Sequence, residues 1–305
     1  MTKKERFLGS IILGAIGDAF GSGFENVSKE IPDDKTYYPF GKPKPELPEW
    51  MITDDTQLTV ITCEALLEDM ELNPEILSRH FVDYFSKGLI RGIGASTLKA
   101  FQELQMGFDW SQTGRRGEYA AGNGAAMRIA PLAFFDNISR SRVEEICSIT
   151  HQNSEAYIGA LAVIFSIQLI LKGKWGEYKS LLKLVADQLP NSNVRDRILE
   201  LHALENEISI QQAAGMFGNN GYVVNSIPFC IFAASKIKGS SVSNIFDDII
   251  KSGGDTDTNC SITGQICGTY LGLDNIPVLF RKKLKELVEY DWLSFRVWKL
   301  ADKIT

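Results

Sequence analysis

Two acidic clusters far apart in the chain are built alike: Thr53-Asp54-Asp55-Thr56 and Gly253-Gly254-Asp255-Thr256-Asp257-Thr258. Each sets two carboxylates among hydroxyl neighbours. One such pair is easily solvated. Two pairs brought together make an oxygen-rich pocket with about four negative charges, which repel and take up protons if buried without cations. Hard divalent ions accept this donor set, magnesium first because it takes one or two carboxylates plus waters per ion. A two-metal site follows as the leading reading. Helix capping competes with it, since Asp and Thr are common N-caps and apolar runs follow both clusters, over 58–67 and 262–271. A carboxylate at a helix N-terminus can serve both purposes.

The elements that must position these groups read as helix after helix, with almost no strand alternation. Asn73-Pro74 opens one helix as N-cap and first residue, with Ile76, Leu77, Phe81 and Phe85 on one face and Gly88 at its end. Ser141 with Glu144 reads as a capping box. Asn153 or Ser154 caps an apolar helix that reaches Leu171 and ends at Gly173. Further helical patterns cover 176–188, 194–205, 222–237 with a kink at Pro228, 242–252 and 278–303. Gly14, Gly17 and Gly21 share one helix face, and Gly264 and Gly268 another. Each glycine costs a helix about 1 kcal/mol against alanine, so both helices are expected to be central and closely packed. The expected fold is all-α, a single domain over 1–305. The proline-rich stretch 27–52 is its longest irregular segment, a candidate lid.

Composition narrows the function. With 44% hydrophobic and 23% charged residues the chain is ordinary for a globular protein. A net charge of -6 argues against a general nucleic-acid or anionic-membrane binder. Cys63, Cys147, Cys230, Cys260 and Cys267 are scattered and lie mostly in apolar runs, which fits reduced core residues of a cytoplasmic protein. The basic, apolar N-terminus imitates a signal peptide, but Glu5 and its glycines speak against one. The run 157–171 is shorter than a membrane span, so a buried helix is expected.

Glycine-rich turns ahead of helices offer free amides suited to phosphate. Gly122-Asn123-Gly124-Ala125-Ala126-Met127-Arg128 is one, with Arg128 available for a charge-assisted contact. The segment 91–97 is another. Taken singly, each is also consistent with a plain turn.

Together, GAIGDAFGSGFE at 14–25, TDDTQLT at 53–59, GNGAAMRIAP at 122–131, TH at 150–151 and GGDTDTNCSITGQICGTYLG at 253–272 resemble the ADP-ribosylglycohydrolase family, the relatives of dinitrogenase reductase-activating glycohydrolase. The resemblance implies an all-α fold around two magnesium, sometimes manganese, ions. It implies that Thr53, Asp54 and Asp55 bind metal from one side and Asp255, Asp257 and Thr258 from the other. Asp18 would orient ligands from behind. Gly122, Asn123, Gly124, Ala125, Ala126, Met127 and Arg128 would hold the diphosphate of ADP-ribose, His151 its ribose or phosphate region, and Ser96 with Thr97 the distal ribose. Glu25 matches a glutamate near the metals that gates or assists catalysis in some members. Glu25 and Asp55 are the catalytic candidates, with Glu25 handling the proton. The implied reaction releases ADP-ribose from a protein side chain or a small conjugate. A catalytically silent structural or binding member, and a two-metal phosphohydrolase cutting the diphosphate, are the other readings.

Overall fold

The Thr2 hydroxyl accepts from the Glu5 amide and the Glu5 carboxylate accepts from the Thr2 amide, a capping box that starts α1 (Lys3–Gly21). The computed structural model describes residues 1–25 and 49–304. The stretch expected as a lid therefore lies, over 27–48, outside the described residues. After α1 come α2 (Asp54–Glu68), α3 (Pro74–Ser86), α4 (Ala95–Gln105), α5 (Arg140–Ser148) and α6 (Ser154–Leu171). Then follow α7 (Leu181–Ala186), α8 (Asn193–Ala203), α9 (Ile210–Phe217), α10 (Val223–Ser235) and α11 (Val242–Ser252). The chain closes with α12 (Thr256–Leu271), α13 (Val278–Lys285) and α14 (Tyr290–Ala301). Two-residue strands β1 (Arg115–Arg116) and β2 (His151–Gln152) pair in parallel and are the only sheet among the described residues. The protein is all-α.

The glycine stripes explain the centre of the fold. They let α1 and α12 meet backbone to backbone along their length. A Cβ on Gly17 would stand 2.2 Å from the Cys260 carbonyl oxygen, one on Gly21 2.4 Å from that of Thr256, and one on Gly264 2.4 Å from that of Leu13. The Ser10 hydroxyl donates to the Gln265 carbonyl at 2.9 Å and Arg6 to that of Thr269 at 2.8 Å. From Phe7 to Ala19 every residue of α1 is buried. Among the described residues two helices, α1 and α6, are long and apolar enough to cross a membrane, and both are mostly buried, with 78% and 67% of their apolar windows inside the protein. All five cysteines are buried and unpaired.

Several local expectations are corrected. Ser139, not Ser141, caps α5, accepting from the Arg142 amide, while the Ser141 hydroxyl turns to that of Ser139. The segment 176–188 is helical only from Leu181 to Ala186, where Leu181, Leu182 and Val185 have a core to face. The run 278–303 is two helices, α13 and α14. Asn153 takes the capping role before α6, accepting from the Glu155 and Ala156 amides.

Candidate active site

The close α1–α12 contact fixes where the acidic clusters go. Thr256 donates to the Gly21 carbonyl at 2.9 Å, tying the start of α12 to the end of α1. One turn back on α1, Asp18 is wholly buried and its carboxylate receives four bonds from the start of α2. They come from the Thr53 amide at 2.9 Å and hydroxyl at 2.7 Å, and from the Thr56 amide at 3.1 Å and hydroxyl at 2.5 Å. Asp18 thus grips the first turn of α2 and sets it beside the first turn of α12. Thr258 closes the pair, its hydroxyl donating to Asp55 Oδ2 at 3.0 Å.

This arrangement separates the capping role from the carboxylates. Thr53 caps α2, its hydroxyl accepting from the Asp55 amide. Asp255 stands at the N-cap position of α12, but its side chain caps nothing and accepts instead from Asn123 Nδ2 at 2.7 Å. Glu25, Asp54, Asp55, Asp255 and Asp257 line a cleft of about 650 Å³, and among the described residues no lysine or arginine lines it. Two overlapping triads can each hold an ion. The carboxylate oxygens of Asp18, Asp55 and Asp257 lie within 4.8 Å of one another, and so do those of Glu25, Asp255 and Asp257. Asp257 belongs to both.

Electrostatics tests whether cations fit. Burial, then the charge of Asp18, pushes the Asp54 and Asp55 carboxyls well above the usual range. Burial, then Asp255, pushes Asp257 up to about 9. Glu25 is raised by partial burial and by Asp255. The Asp55 Oδ1 is buried with no hydrogen-bond partner. A helix N-terminus offsets roughly 0.3–1 kcal/mol per nearby carboxylate, far less than burying several like charges costs. An oxygen-only, anionic donor set with an orphaned oxygen suits hard divalent cations.

Not every expected residue faces the cleft. Thr53 is turned to Asp18, and Asp54, though it lines the cleft, lies outside both triads. Ser96, Thr97, Gly122, Asn123, Gly124, Met127 and His151 line the cleft, whereas Ala125, Ala126 and Arg128 do not. The phosphate contact expected of Arg128 is therefore corrected. Its guanidinium lies behind the turn and donates to the Gly124 carbonyl at 2.5 Å. Gly122 and Gly124 are small because the imidazole of His151 packs on the turn. A Cβ on Gly122 would stand 3.0 Å from His151 Nε2, and one on Gly124 2.9 Å from Cε1.

The loop before α10 was missed in the sequence. Asn220 and Gly221 line the cleft, and the Gly221 carbonyl accepts from the Asn123 amide at 3.1 Å. The Asn219 carbonyl accepts from the Asp255 amide at 3.2 Å and from Asn259 Nδ2 at 2.6 Å, while its side chain donates to the Gly253 carbonyl. Its Asn-Asn-Gly turn ahead of a helix was the available signal.

A family model described as ADP-ribosylglycohydrolase matches residues 1–305. An uncharacterized protein of Archaeoglobus fulgidus is 28% identical, covering 99% of this chain and 98% of its own length. The ADP-ribosylhydrolase ARH3 of Xenopus tropicalis is 27% identical, covering 90% of this chain and 89% of its own length. A solved structure titled as an ADP-ribosylglycohydrolase-related protein complex superposes with a TM-score of 0.73 at 23% identity, covering 99% of both chains.

Proposed function

Because the chain belongs to the ADP-ribosylglycohydrolase family, we propose that it hydrolyses the glycosidic bond at the distal ribose of an ADP-ribosylated side chain or small conjugate, with two magnesium ions, or manganese in their place. Family membership makes the chain a glycosidic-bond hydrolase. The observation that carries the finer reading is the convergence of five carboxylates on a cleft that also holds a glycine turn and a buried histidine. At about 650 Å³ the cleft suits a ligand of nucleotide size.

Each side chain then has a task. Asp55, Asp255 and Asp257, with Glu25 and Asp18 within reach, would hold the ions. Bound there, divalent cations supply positive charge that orients ribose hydroxyls and activates a water at neutral pH. The Gly122–Gly124 turn and His151 seat the diphosphate end, and Ser96 and Thr97 face the distal ribose. Departure of the leaving group develops positive charge at the anomeric carbon. Glu25, exposed at the cleft, is the carboxylate that gives a proton up and takes one back in this reading.

The test is a release assay on arginine-, serine- and acetyl-linked ADP-ribose with magnesium present. Free ADP-ribose is the expected product, and AMP would indicate diphosphate cleavage instead. Asp257→Asn removes the carboxylate shared by both triads and is expected to lose bound metal and most turnover together. Full magnesium-dependent turnover in that variant would overturn the metal assignment.

A further inference from the structure

Among the described residues Arg128 is the largest fully buried side chain, and none of its bonding partners is a carboxylate. Burying a charge costs several kcal/mol unless its surroundings answer it, so its contacts need a reason. One guanidinium nitrogen donates to the Gly124 carbonyl at 2.5 Å. The other donates to Thr150 Oγ1 at 2.9 Å and, more weakly, to the Ile146 carbonyl at 3.4 Å. The ring of Phe81 lies 5.2 Å beneath. Thr150 Oγ1 in turn lies 2.8 Å from His151 Nδ1.

The direction of the Arg128 bonds is forced, and it bears on the Thr150–His151 bond. A guanidinium only donates, so the threonine oxygen accepts from it. The one hydroxyl proton of Thr150 has no other acceptor among the hydrogen bonds of the described residues. Donating it to Nδ1 pairs that proton, whereas a protonated Nδ1 would leave it buried without an acceptor, so the bare Nδ1 is the assignment that satisfies every donor of this relay. Burial, then Arg128 and Arg115, presses the imidazole down to about 3, so the ring is neutral. Its single proton is left for Nε2, the atom beside the Gly122 and Gly124 turn on the cleft wall.

We propose that Arg128 is a positioning residue that, through Thr150, locks His151 as the Nε2–H tautomer, a fixed hydrogen-bond donor to an acceptor oxygen of the ligand seated on the Gly122–Gly124 turn. The same guanidinium pins the Gly124 carbonyl, so one buried cation sets both the turn and its donor. The ligand's identity rests on the ADP-ribose reading, whereas the tautomer does not.

The chain has three histidines, so long-range proton–nitrogen correlation spectra of ¹⁵N-histidine-labelled protein, assigned with His80→Gln and His202→Gln variants, read the ring directly. Ligand-free wild type at pH 7 is expected to show one neutral tautomer, bare at Nδ1 and protonated at Nε2. A ring protonated at Nδ1, or a mixture of tautomers, overturns the proposal without any variant. Thr150→Val keeps the shape of the side chain and removes the relay proton. It is expected to give mixed tautomers and an ADP-ribose Kd raised about three- to tenfold, the worth of one oriented hydrogen bond. Thr150→Ser should restore both. A valine variant with unchanged tautomer and affinity refutes the relay. A wild-type protein that binds no ADP-ribose but shows the Nε2–H ring overturns the functional reading and leaves the relay standing.

Discussion

Gly17→Ala puts one methyl group where the two central helices touch. The added Cβ would stand 2.2 Å from the carbonyl oxygen of Cys260 and 2.5 Å from its carbon. Both are backbone atoms, so no side chain can rotate away. Ordinary carbon contacts are about 3.5 Å, and restoring one requires α1 and α12 to part by roughly 1 Å. Overpacking costs about 1–3 kcal/mol, and a backbone clash belongs at the upper end. Alanine returns about 1 kcal/mol of helix propensity. The net expectation is about 2 kcal/mol of lost stability, read as a lower urea midpoint. Asp18 is the next residue, so the parting also shifts the grip on α2. A misplacement of about 1 Å is worth roughly 10²-fold in turnover. Gly215→Ala is the matched control. Gly215 lies in α9 with nothing within 4 Å of a Cβ, and the same substitution there should stabilise by about 0.5–1 kcal/mol. If Gly17→Ala matches wild type in midpoint and turnover, the helices are not in backbone contact and the account of the stripe is wrong.

Three further outcomes are expected. Asp257 is held up to about 9 in the folded, cation-free protein, against about 3.9 unfolded. The folded state then binds the extra proton, so this contribution to stability is full below pH ~4 and is lost as pH rises through about 9. Magnesium binding at pH 7 should accordingly release about one proton or more, measured by calorimetry in buffers of different ionisation enthalpy, and an absence of release would contradict the buried acidic centre. Gly124→Val drives a side chain into the imidazole of His151 and is expected to weaken ADP-ribose binding at least tenfold while the protein stays folded, and unchanged affinity would remove the turn from the ligand site. Glu25→Gln should keep ADP-ribose affinity and lose most turnover; lost affinity with intact turnover would make Glu25 a binding group rather than a proton carrier.

How much of this could be read from the sequence depends on the kind of interaction. The two acidic clusters and the glycine stripes are local patterns with helical spacing, so Asp54, Asp55, Asp255 and Asp257 were visible as one chemistry before the fold brought them into one cleft. Arg128 was aimed wrongly because nothing local says which side of a 3-10 turn a side chain leaves by. Beyond the Gly124 carbonyl, its partners Ile146 and Thr150 lie 18 and 22 residues on. Asn219 escaped for the same reason: its carbonyl and side chain act on Gly253, Asp255 and Asn259, all more than 30 residues on. Ser139 and Ser141 are both good caps, and only the core-facing positions Val143, Ile146 and Cys147 choose between them.

The pairing of α1 with α12 also imposes an order in time. Ser10 and Gln265 are bonded across 255 residues. At about 5–20 residues per second of synthesis, α1 leaves the ribosome roughly 10–50 s before its partner exists. Throughout that interval a helix destined for burial has nothing to bury against. Asp18 cannot bring α2 to Asp257 until α12 arrives, so the two triads have no half-built form that could trap a cation early. Assembly of the acidic centre is therefore among the last events of folding, and a nascent chain halted before α12 should carry an exposed apolar helix and no divalent-cation affinity of the native kind.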